Sequence, residues 1–326
     1  MIGDALCGGF LSWRTLRQLD SLGITMHALG GHPINHVRMF AGNAMASARL
    51  PGGAIGLSRR RLDTIMLDHA VAAGAGLEIT TARNIDGNTV LTDGGTIDAE
   101  SIVLATGKYD LRGQSRPRFG GDDPTLGLRI RLAPHPGLAA LIGNSIELHM
   151  FDRGYAGLLL REDGSANLCM AVRKSRLAKA GGKPADLIAT LAAENPFLGE
   201  RLAWLDGVPE PDAVASVPYG WRAMTTLPGV FRVGDQAAVI PSLAGEGIGI
   251  AVASGAAAAR SWAAGGAMSA PAYQQAFASR VRRPIAIARL LWERAETPWS
   301  ATFGLRALRM IPAFTDILAR ATRIPG

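Results

Sequence analysis

The pattern of hydrophobic and polar positions changes its period near the middle of the chain. Two early segments, Ser12–Leu22 and Arg59–Ala73, have the helical period, and Ser12 and Ser58 are suited to cap them. From Gly127 onward apolar and polar residues alternate, which predicts strands with one covered face. The alternating apolar positions are Leu128, Ile130, Leu132, Ile146, Leu148 and Met150. The pattern therefore predicts an α/β region followed by an antiparallel sheet.

Shorter elements fill the intervals between these segments. We expect, in chain order, two short strands within Ile34–Leu50, a strand at Leu77–Ala82, a hairpin over Thr89–Asp98, a buried strand at Ser101–Ala105, strands at Tyr155–Leu160 and Ala166–Val172, a helical hairpin over Ala185–Leu205, a buried strand at Gly229–Val233 and a buried helix at Ile248–Trp262. The helical hairpin is broken at Asn195-Pro196, because the residue before a proline disfavours helix.

Composition indicates a globular protein without a metal site. Of 326 residues, 48% are hydrophobic and 19% charged. The two cysteines and six histidines have neither metal-ligand nor disulfide-framework spacing. The sequence does not begin with a signal-peptide pattern, and the longest apolar stretch, Ala237–Ala259, is broken by Pro241 and Glu246. We therefore expect a cytoplasmic protein in a reducing compartment.

The positive charge is concentrated near the C-terminus. The net charge is +7, and nine arginines lie between Arg280 and Gly326 against three acidic residues. Two interpretations remain open: a basic amphipathic region that contacts an anionic membrane surface, or ordinary helices with solvated arginines. Nucleic-acid binding is not expected, because no recognised binding module accompanies the charge.

The segment Gly234–Gly255 carries the strongest chemical signal. Asp235 follows the predicted strand, and its carboxylate can accept hydrogen bonds from the hydroxyls of a ribose or ribityl chain. The start of the following helix offers free N–H groups and a partial positive charge. A small-residue helix packed on a sheet is the alternative interpretation. The segment differs from the Gly-x-Gly-x-x-Gly fingerprint, because a loop separates its strand from its helix.

This segment resembles the second FAD-binding motif of flavoproteins of the p-hydroxybenzoate hydroxylase and geranylgeranyl reductase type. The matching residues are Gly234, Asp235, Pro241, Gly245, Gly247, Ile248, Ser254 and Gly255. The resemblance implies that Asp235 holds the ribityl chain of FAD. It also implies that Gly245, Glu246, Gly247, Ile248 and Gly249 lie on the pyrophosphate side of the flavin ring.

Three other segments extend the resemblance. Cys7-Gly8-Gly9 is similar to a family segment whose cysteine lies close to the flavin, which implies a catalytic role for Cys7; a small buried residue beside turn glycines is the alternative. Arg59 matches an Arg-x-x-hydrophobic-Asp segment whose arginine approaches the cofactor. Thr106 and Gly107 end a buried strand where a glycine lets the backbone approach the dinucleotide.

Gly154–Leu160 resembles the Tyr-x-Trp-x-Phe-Pro strand of geranylgeranyl reductases. Gly157, Leu159 and Leu160 replace its tryptophan, phenylalanine and proline, which opens space above the flavin. The resemblance implies that Tyr155 contacts the substrate; an aromatic core residue is the alternative. Cys169, on an alternating strand, is interpreted as a packing residue.

The resemblance implies an α/β fold with a Rossmann-like FAD/NAD(P)-binding domain of the glutathione reductase and p-hydroxybenzoate hydroxylase type. Its discontinuous FAD-binding domain comprises residues 1–115 and 226–270, an antiparallel-sheet substrate domain residues 116–225, and a basic helical region residues 271–326. Relatives begin with a strand and a Gly-x-Gly-x-x-Gly loop. The resemblance thus implies an N-terminal truncation of about 35 to 40 residues, the size of a strand–loop–helix–strand unit.

These observations give three functional hypotheses. The first is an FAD-dependent oxidoreductase acting on a hydrophobic isoprenoid, polyketide or other lipid-like substrate, with NAD(P)H as a transient electron donor. The second is a class A flavin monooxygenase that hydroxylates an aromatic or quinone-like substrate. The third is a truncated, flavin-free remnant or membrane-surface protein without enzymatic activity.

Overall fold

The computed structural model describes residues 3–117, 121–205, 210–310 and 313–324. The strands are β1 Phe10–Leu11, β2 His32–Ala41, β3 Ala44–Gly56, β4 Ala82–Asp86, β5 Thr89–Thr92, β6 Gly95–Asp98, β7 Ile102–Leu104, β8 Thr125–Leu132, β9 Ser145–Phe151, β10 Gly154–Leu160, β11 Ala166–Arg173, β12 Asp212–Val214 and β13 Val230–Arg232. The helices are α1 Trp13–Asp20, α2 Met26–Leu29, α3 Arg59–Ala72, α4 Pro136–Ile142, α5 Lys174–Lys179, α6 Pro184–Glu194, α7 Pro196–Leu202, α8 Gly247–Gly265, α9 Ala270–Ala295, α10 Pro298–Met310 and α11 Ala313–Ala321.

The predicted helices are confirmed, with the predicted serine caps, but the helix predicted as buried at Ile248–Trp262 is buried only in its first part, since Trp262 is 45% exposed. Ser12 Oγ accepts a hydrogen bond from the Thr15 N–H at 3.3 Å and so caps α1. Ser58 Oγ accepts from the Arg61 N–H at 3.2 Å and caps α3. Each serine oxygen accepts a hydrogen bond from an N–H group of the first helical turn that would otherwise have no partner. Serine is therefore favoured at the position where each helix begins.

Two predictions in the first third of the chain need correction. The strand expected at Leu77–Ala82 is wrong: β4 begins only at Ala82, and Ile79 is 84% exposed. None of the described strands pairs with residues 77–81. These residues therefore form no strand, although apolar and polar residues alternate among them. The strand expected at Ser101–Ala105 forms as β7, but it is not fully buried, because Val103 is 57% exposed.

A large sheet dominates the molecule. Its eight strands run in the order β1-β3-β2-β9-β10-β11-β8-β12. All neighbouring pairs are antiparallel except β2 and β9, which are parallel. β1, β2 and β3 precede residue 57, so the sheet draws on the chain range predicted for the FAD-binding domain as well as on residues 116–225.

Both faces of this sheet are covered, so the prediction of one solvent-facing side is wrong. On one face α4, α6 and α7 pack against Leu128, Ile130 and neighbouring side chains. The polar positions of β9 lie on that buried face. Glu147 forms ion pairs with Arg38 at 2.8 Å and Arg201 at 3.0 Å. Arg38 belongs to β2 and Arg201 to α7. Their positive charges compensate the negative charge of the buried Glu147 carboxylate.

The other face of the sheet looks toward the remaining elements. β13 and β7 form a two-stranded parallel sheet, and β13 leads through a loop into α8. β13, α8 and α9 share one apolar core, and α1, α3 and α8 share another. α10 and α11 pack on β2, β3 and β9. Among the helices of the described ranges, none is long and apolar enough to cross a membrane.

Candidate functional site

The segment predicted as an FAD motif joins β13 to α8 through a tight turn. Gly234 has a left-handed backbone with φ of 58°, a conformation that glycine adopts without a steric penalty. Its N–H donates to Ser254 Oγ at 2.8 Å, and Ser254 lies in the second turn of α8. The two motif residues therefore fix the end of the strand against the helix.

Asp235 lines a cleft close to the predicted cofactor-binding residues Thr106 and Gly107. Its carboxylate is 3.8 Å from Lys108 Nζ, and its backbone carbonyl accepts from Arg116 Nη1 at 3.1 Å. The next residue, Gln236, is fully buried and donates from Nε2 to the carbonyl of Gly107 at 3.0 Å. The fold thus brings the Thr106-Gly107 turn next to Asp235.

The cleft at Asp235 has a volume of about 160 Å³ and a charged lining. Lys108, Asp110, Arg116 and Asp235 form one side, and residues 214–218 form the other. Ser216 on the second side has φ of 54°, an uncommon conformation for a residue other than glycine. Asp110 accepts from Arg116 Nε at 2.7 Å, so that pair is satisfied within the cleft.

The start of α8 lies within the same motif segment as Asp235. No side chain of the described residues caps the helix at Glu246, so its first N–H groups are available to a ligand. Gly247 is exposed, and a Cβ added there would meet nothing within 4 Å. Gly245 lies closer to the core, since its Cβ would approach Phe10 to 2.8 Å. A carboxylate acceptor and an uncapped helix start in one strand–loop–helix segment are groups of the kind that bind hydroxyls and anionic groups.

Three other motif residues face inward instead. Glu246 is buried and accepts from Ser12 Oγ at 3.2 Å and from Arg323 Nη1 at 2.8 Å. Burial raises the pKa of the Glu246 carboxyl, although Arg323 and Ser12 oppose that shift. Ile248 lies in the core of α1, α3 and α8. A Cβ on Gly249 would lie 2.5 Å from Glu246 Oε1, so the buried carboxylate accounts for the glycine.

The Cys7 segment lies against the sheet face that looks toward the motif. Asn167 Nδ2 donates to the carbonyls of Cys7 at 2.9 Å and Gly8 at 2.8 Å. The same nitrogen is 3.8 Å from Cys169 Sγ. Burial raises the pKa of the Cys169 thiol to about 12, and the nearby Cys7 adds to the shift. The residue interpreted as packing therefore borders the predicted site.

Arg59 lies beside Cys7, but its guanidinium already has a partner. It forms two hydrogen bonds of 2.8 Å with the carboxylate of Asp63, one turn later in α3. Burial alone would lower the pKa of Arg59, yet Asp63 and Cys7 raise it above its usual value. The structure thus brings two predicted site residues together and assigns most of the arginine's hydrogen bonding to Asp63.

Tyr155 belongs to a chain of three hydroxyl groups. Its hydroxyl bonds to Ser242 Oγ, which lies 2.5 Å from the hydroxyl of Tyr219. Burial raises the pKa of Tyr155 well above its usual value and that of Tyr219 to about 12. Trp292 covers the cluster, with its ring 5.3 Å from that of Tyr219. The sequence reasoning missed Ser242, although it occupies a variable position of the FAD motif.

Comparisons with known proteins identify the fold. No protein-family model and no curated protein matches the chain. The structure is similar to that of Pseudomonas aeruginosa PqsL in complex with 2-aminobenzoylacetate, with a TM-score of 0.70, 16% identity and coverage of 92% of this chain and 88% of that one. The structure of the flavin-dependent brominase Bmp2 matches with a TM-score of 0.70 and 17% identity, over 99% of this chain and 83% of that one. The structure of a Klebsiella pneumoniae HpxO variant complexed with FAD matches with a TM-score of 0.69 and 14% identity, over 98% of this chain and 91% of that one. The chain therefore has the fold of the p-hydroxybenzoate hydroxylase type of flavoprotein.

Proposed function

We propose that the protein is an FAD-dependent oxidoreductase. The observation that carries the proposal is the position of Asp235, which follows β13, lines a cleft with Lys108, Arg116 and residues 214–218, and belongs to the same segment as the uncapped start of α8. The fold supports it, since HpxO is complexed with FAD and Bmp2 is named a flavin-dependent brominase. A carboxylate at this place accepts hydrogen bonds from the hydroxyls of a ribityl chain.

Each part of the site has a defined task in this proposal. Asp235 binds the ribityl hydroxyls, and the first N–H groups of α8 stabilise negative charge on the flavin ring. Lys108, 3.8 Å from Asp235, keeps that carboxylate from being an isolated charge. When bound, FAD supplies the electron transfer to or from the substrate. The raised pKa values of Tyr155 and Tyr219 keep both phenols protonated at neutral pH, so that together with Ser242 they hold hydrogen-bond donors at fixed positions.

A class A monooxygenase is the second candidate reaction. PqsL is described as a probable FAD-dependent monooxygenase, and its fold is shared by this chain. Products formed from NAD(P)H and a candidate substrate, with and without oxygen, separate the two reactions. A hydroxylated product formed only with oxygen supports the monooxygenase; a reduced product formed without oxygen supports the reductase.

Binding of FAD to the purified chain tests the shared part of the proposal. We expect added FAD to show perturbed visible absorbance and quenched fluorescence with a saturable dependence on protein. Asp235→Asn removes the charge from the ribityl site, and a hydrogen bond to a charged group contributes about 1.5 to 3 kcal/mol, so affinity falls about tenfold or more. Asp68→Asn, on the exposed side of α3, is the matched control. The proposal is overturned if the wild-type chain takes up no FAD.

A further inference from the structure

A second cavity borders the loop between Asp235 and α8 at Leu243, Ala244 and Gly245. Its volume is about 220 Å³, and it separates the sheet from α9, α10 and α11. Its sheet wall consists of the apolar residues Val37, Met39, Leu50, Ile146, Leu148 and Met150. Its floor is Phe10 with Leu243, Ala244 and Gly245, which belong to the predicted FAD motif. The cavity is therefore adjacent to the proposed flavin site.

The size and lining of this cavity suit an apolar ligand. An apolar cavity of about 150 Å³ stays free of water and binds benzene, so a larger cavity of the same kind accepts a larger hydrocarbon body. A cavity left empty also destabilises a folded protein, because its lining atoms lack contact partners. Gly304 of α10 adds to the open space, since a Cβ there would meet nothing within 4 Å.

Charge at the cavity indicates the chemistry of the ligand's polar end. Two arginines line it, Arg294 from α9 and Arg323. Arg323 is neutralised by Glu246 at 2.8 Å. The Arg294 side chain is exposed and forms no ion pair or side-chain hydrogen bond with any residue in the described ranges. A positive charge at the opening of an apolar cavity attracts one anionic group.

We propose that this cavity binds a monocarboxylate with an apolar body of about seven carbon atoms, a size that follows from the cavity volume and about 30 Å³ for each small group in a liquid. The carboxylate pairs with Arg294, and the body extends toward Leu243, Ala244 and Gly245. As the substrate pocket of a flavoprotein this assignment rests on the proposed function, but the binding of the ligand itself does not.

Two substitutions, each with a matched control, test the two parts of the ligand separately. Arg294→Gln removes the charge and keeps most of the side-chain volume, and Arg282→Gln is its control on the exposed surface of the same helix. Gly304→Leu adds a bulky side chain at a residue that lines the cavity, where a Cβ meets nothing within 4 Å, and leucine has a higher helix propensity than glycine. Gly304→Ala is the matched change that leaves most of the volume free.

Calorimetric titration of the full chain with octanoate and with 1-octanol tests the proposal. We expect octanoate to bind at one site and at least tenfold more tightly than octanol. Arg294→Gln should abolish that preference, Gly304→Leu should abolish binding of both, and Arg282→Gln and Gly304→Ala should leave both within threefold of wild type. Thermal unfolding of each variant verifies that it is folded.

Two results would overturn the inference: no octanoate binding by the wild-type chain, or unchanged binding by folded Gly304→Leu. A chain that binds FAD but not octanoate loses only this inference. A chain that binds octanoate but takes up no FAD retains the ligand site and loses the proposed oxidoreductase function.

Discussion

The guanidinium of Arg323 lies 2.8 Å from the buried carboxylate of Glu246, so the basic C-terminal region contacts the predicted FAD motif directly. Arg323 also donates to the carbonyl of Ala244 and lies 4.8 Å from the centre of the Trp13 ring. One arginine therefore connects the last described helical segment to the motif loop and to α1. At this position a charge of the basic C-terminal region stabilises the protein interior.

Arg323→Met should destabilise the protein strongly. The substitution leaves Glu246 buried without its cation, and loss of one partner of a buried ion pair costs about 3 to 5 kcal/mol. The double variant Arg323→Met, Glu246→Gln removes the orphaned charge, so it should recover part of the loss. Urea unfolding measures both free energies, with Arg320→Met as the exposed control. A single variant as stable as wild type would contradict the arrangement.

Asp4 should make stability depend on pH in the acidic range. Its carboxylate lies 2.9 Å from Arg161, 3.1 Å from Arg131 and 3.5 Å from Arg129. Burial alone would raise the pKa of Asp4, but these arginines lower it below its usual value of 3.8. Because the folded pKa is the lower one, the stabilisation is present above about pH 4 and is lost as pH falls through the folded value.

Asp4→Asn is therefore expected to lower Tm at pH 7, with a difference from wild type that narrows below pH 4. Differential scanning calorimetry across this range provides the measurement, and Asp20→Asn, at the exposed end of α1, is the control. A difference that is constant from pH 3 to pH 7 would show that the carboxylate's charge is not what stabilises the segment.

The Cys169 thiol should react slowly at neutral pH. With a pKa raised to about 12 by burial, it is almost entirely protonated at pH 8, and only the thiolate is nucleophilic. In a Cys7→Ser variant, where Cys169 is the remaining cysteine, the rate of reaction with an aromatic disulfide reagent should rise about tenfold for each pH unit between 7 and 10. A rate that levels off near pH 9 would contradict the raised pKa.

Alanine substitutions at Gly249 and Gly247 should have different effects, the first on stability and the second on FAD binding. A Cβ at Gly249 would lie 2.5 Å from Glu246 Oε1, so Gly249→Ala should destabilise the protein by about 1 to 3 kcal/mol. A Cβ at Gly247 meets nothing within 4 Å, so Gly247→Ala should leave stability unchanged while it weakens FAD binding. Chemical unfolding and FAD titration of both variants measure the two effects. Equal loss of stability in the two variants would reject the distinction.

Local signals in the sequence predicted much of the fold. The serine caps of α1 and α3 and the alternation along β8 to β11 depend on neighbouring residues, so they could be interpreted without tertiary contacts. The covering of both faces of the sheet could not be predicted from the sequence. Glu147 is buried because Arg38 and Arg201 come to it from distant parts of the chain, and no local pattern identifies those partners.

The candidate site follows the same division. Gly234 and Asp235 follow β13 and Gly247 begins α8, as the strand–loop–helix pattern of the sequence predicts, whereas their contact with FAD stays a prediction. The inward positions of Glu246 and Gly249 depend on Arg323 and Ser12, which are remote in sequence. Contact of the C-terminal region with a membrane surface stays a prediction.

The parallel pairing of β2 with β9 also constrains how the protein folds. β2 and β3 form a hairpin early in the chain, but β9 begins more than 100 residues after His36, the first β2 residue that pairs with it. Until β9 has been synthesised, the hairpin presents an unpaired edge. Contacts so distant in sequence form slowly, because a long loop must close first. We therefore expect slow refolding and a period in which the nascent chain is prone to aggregate.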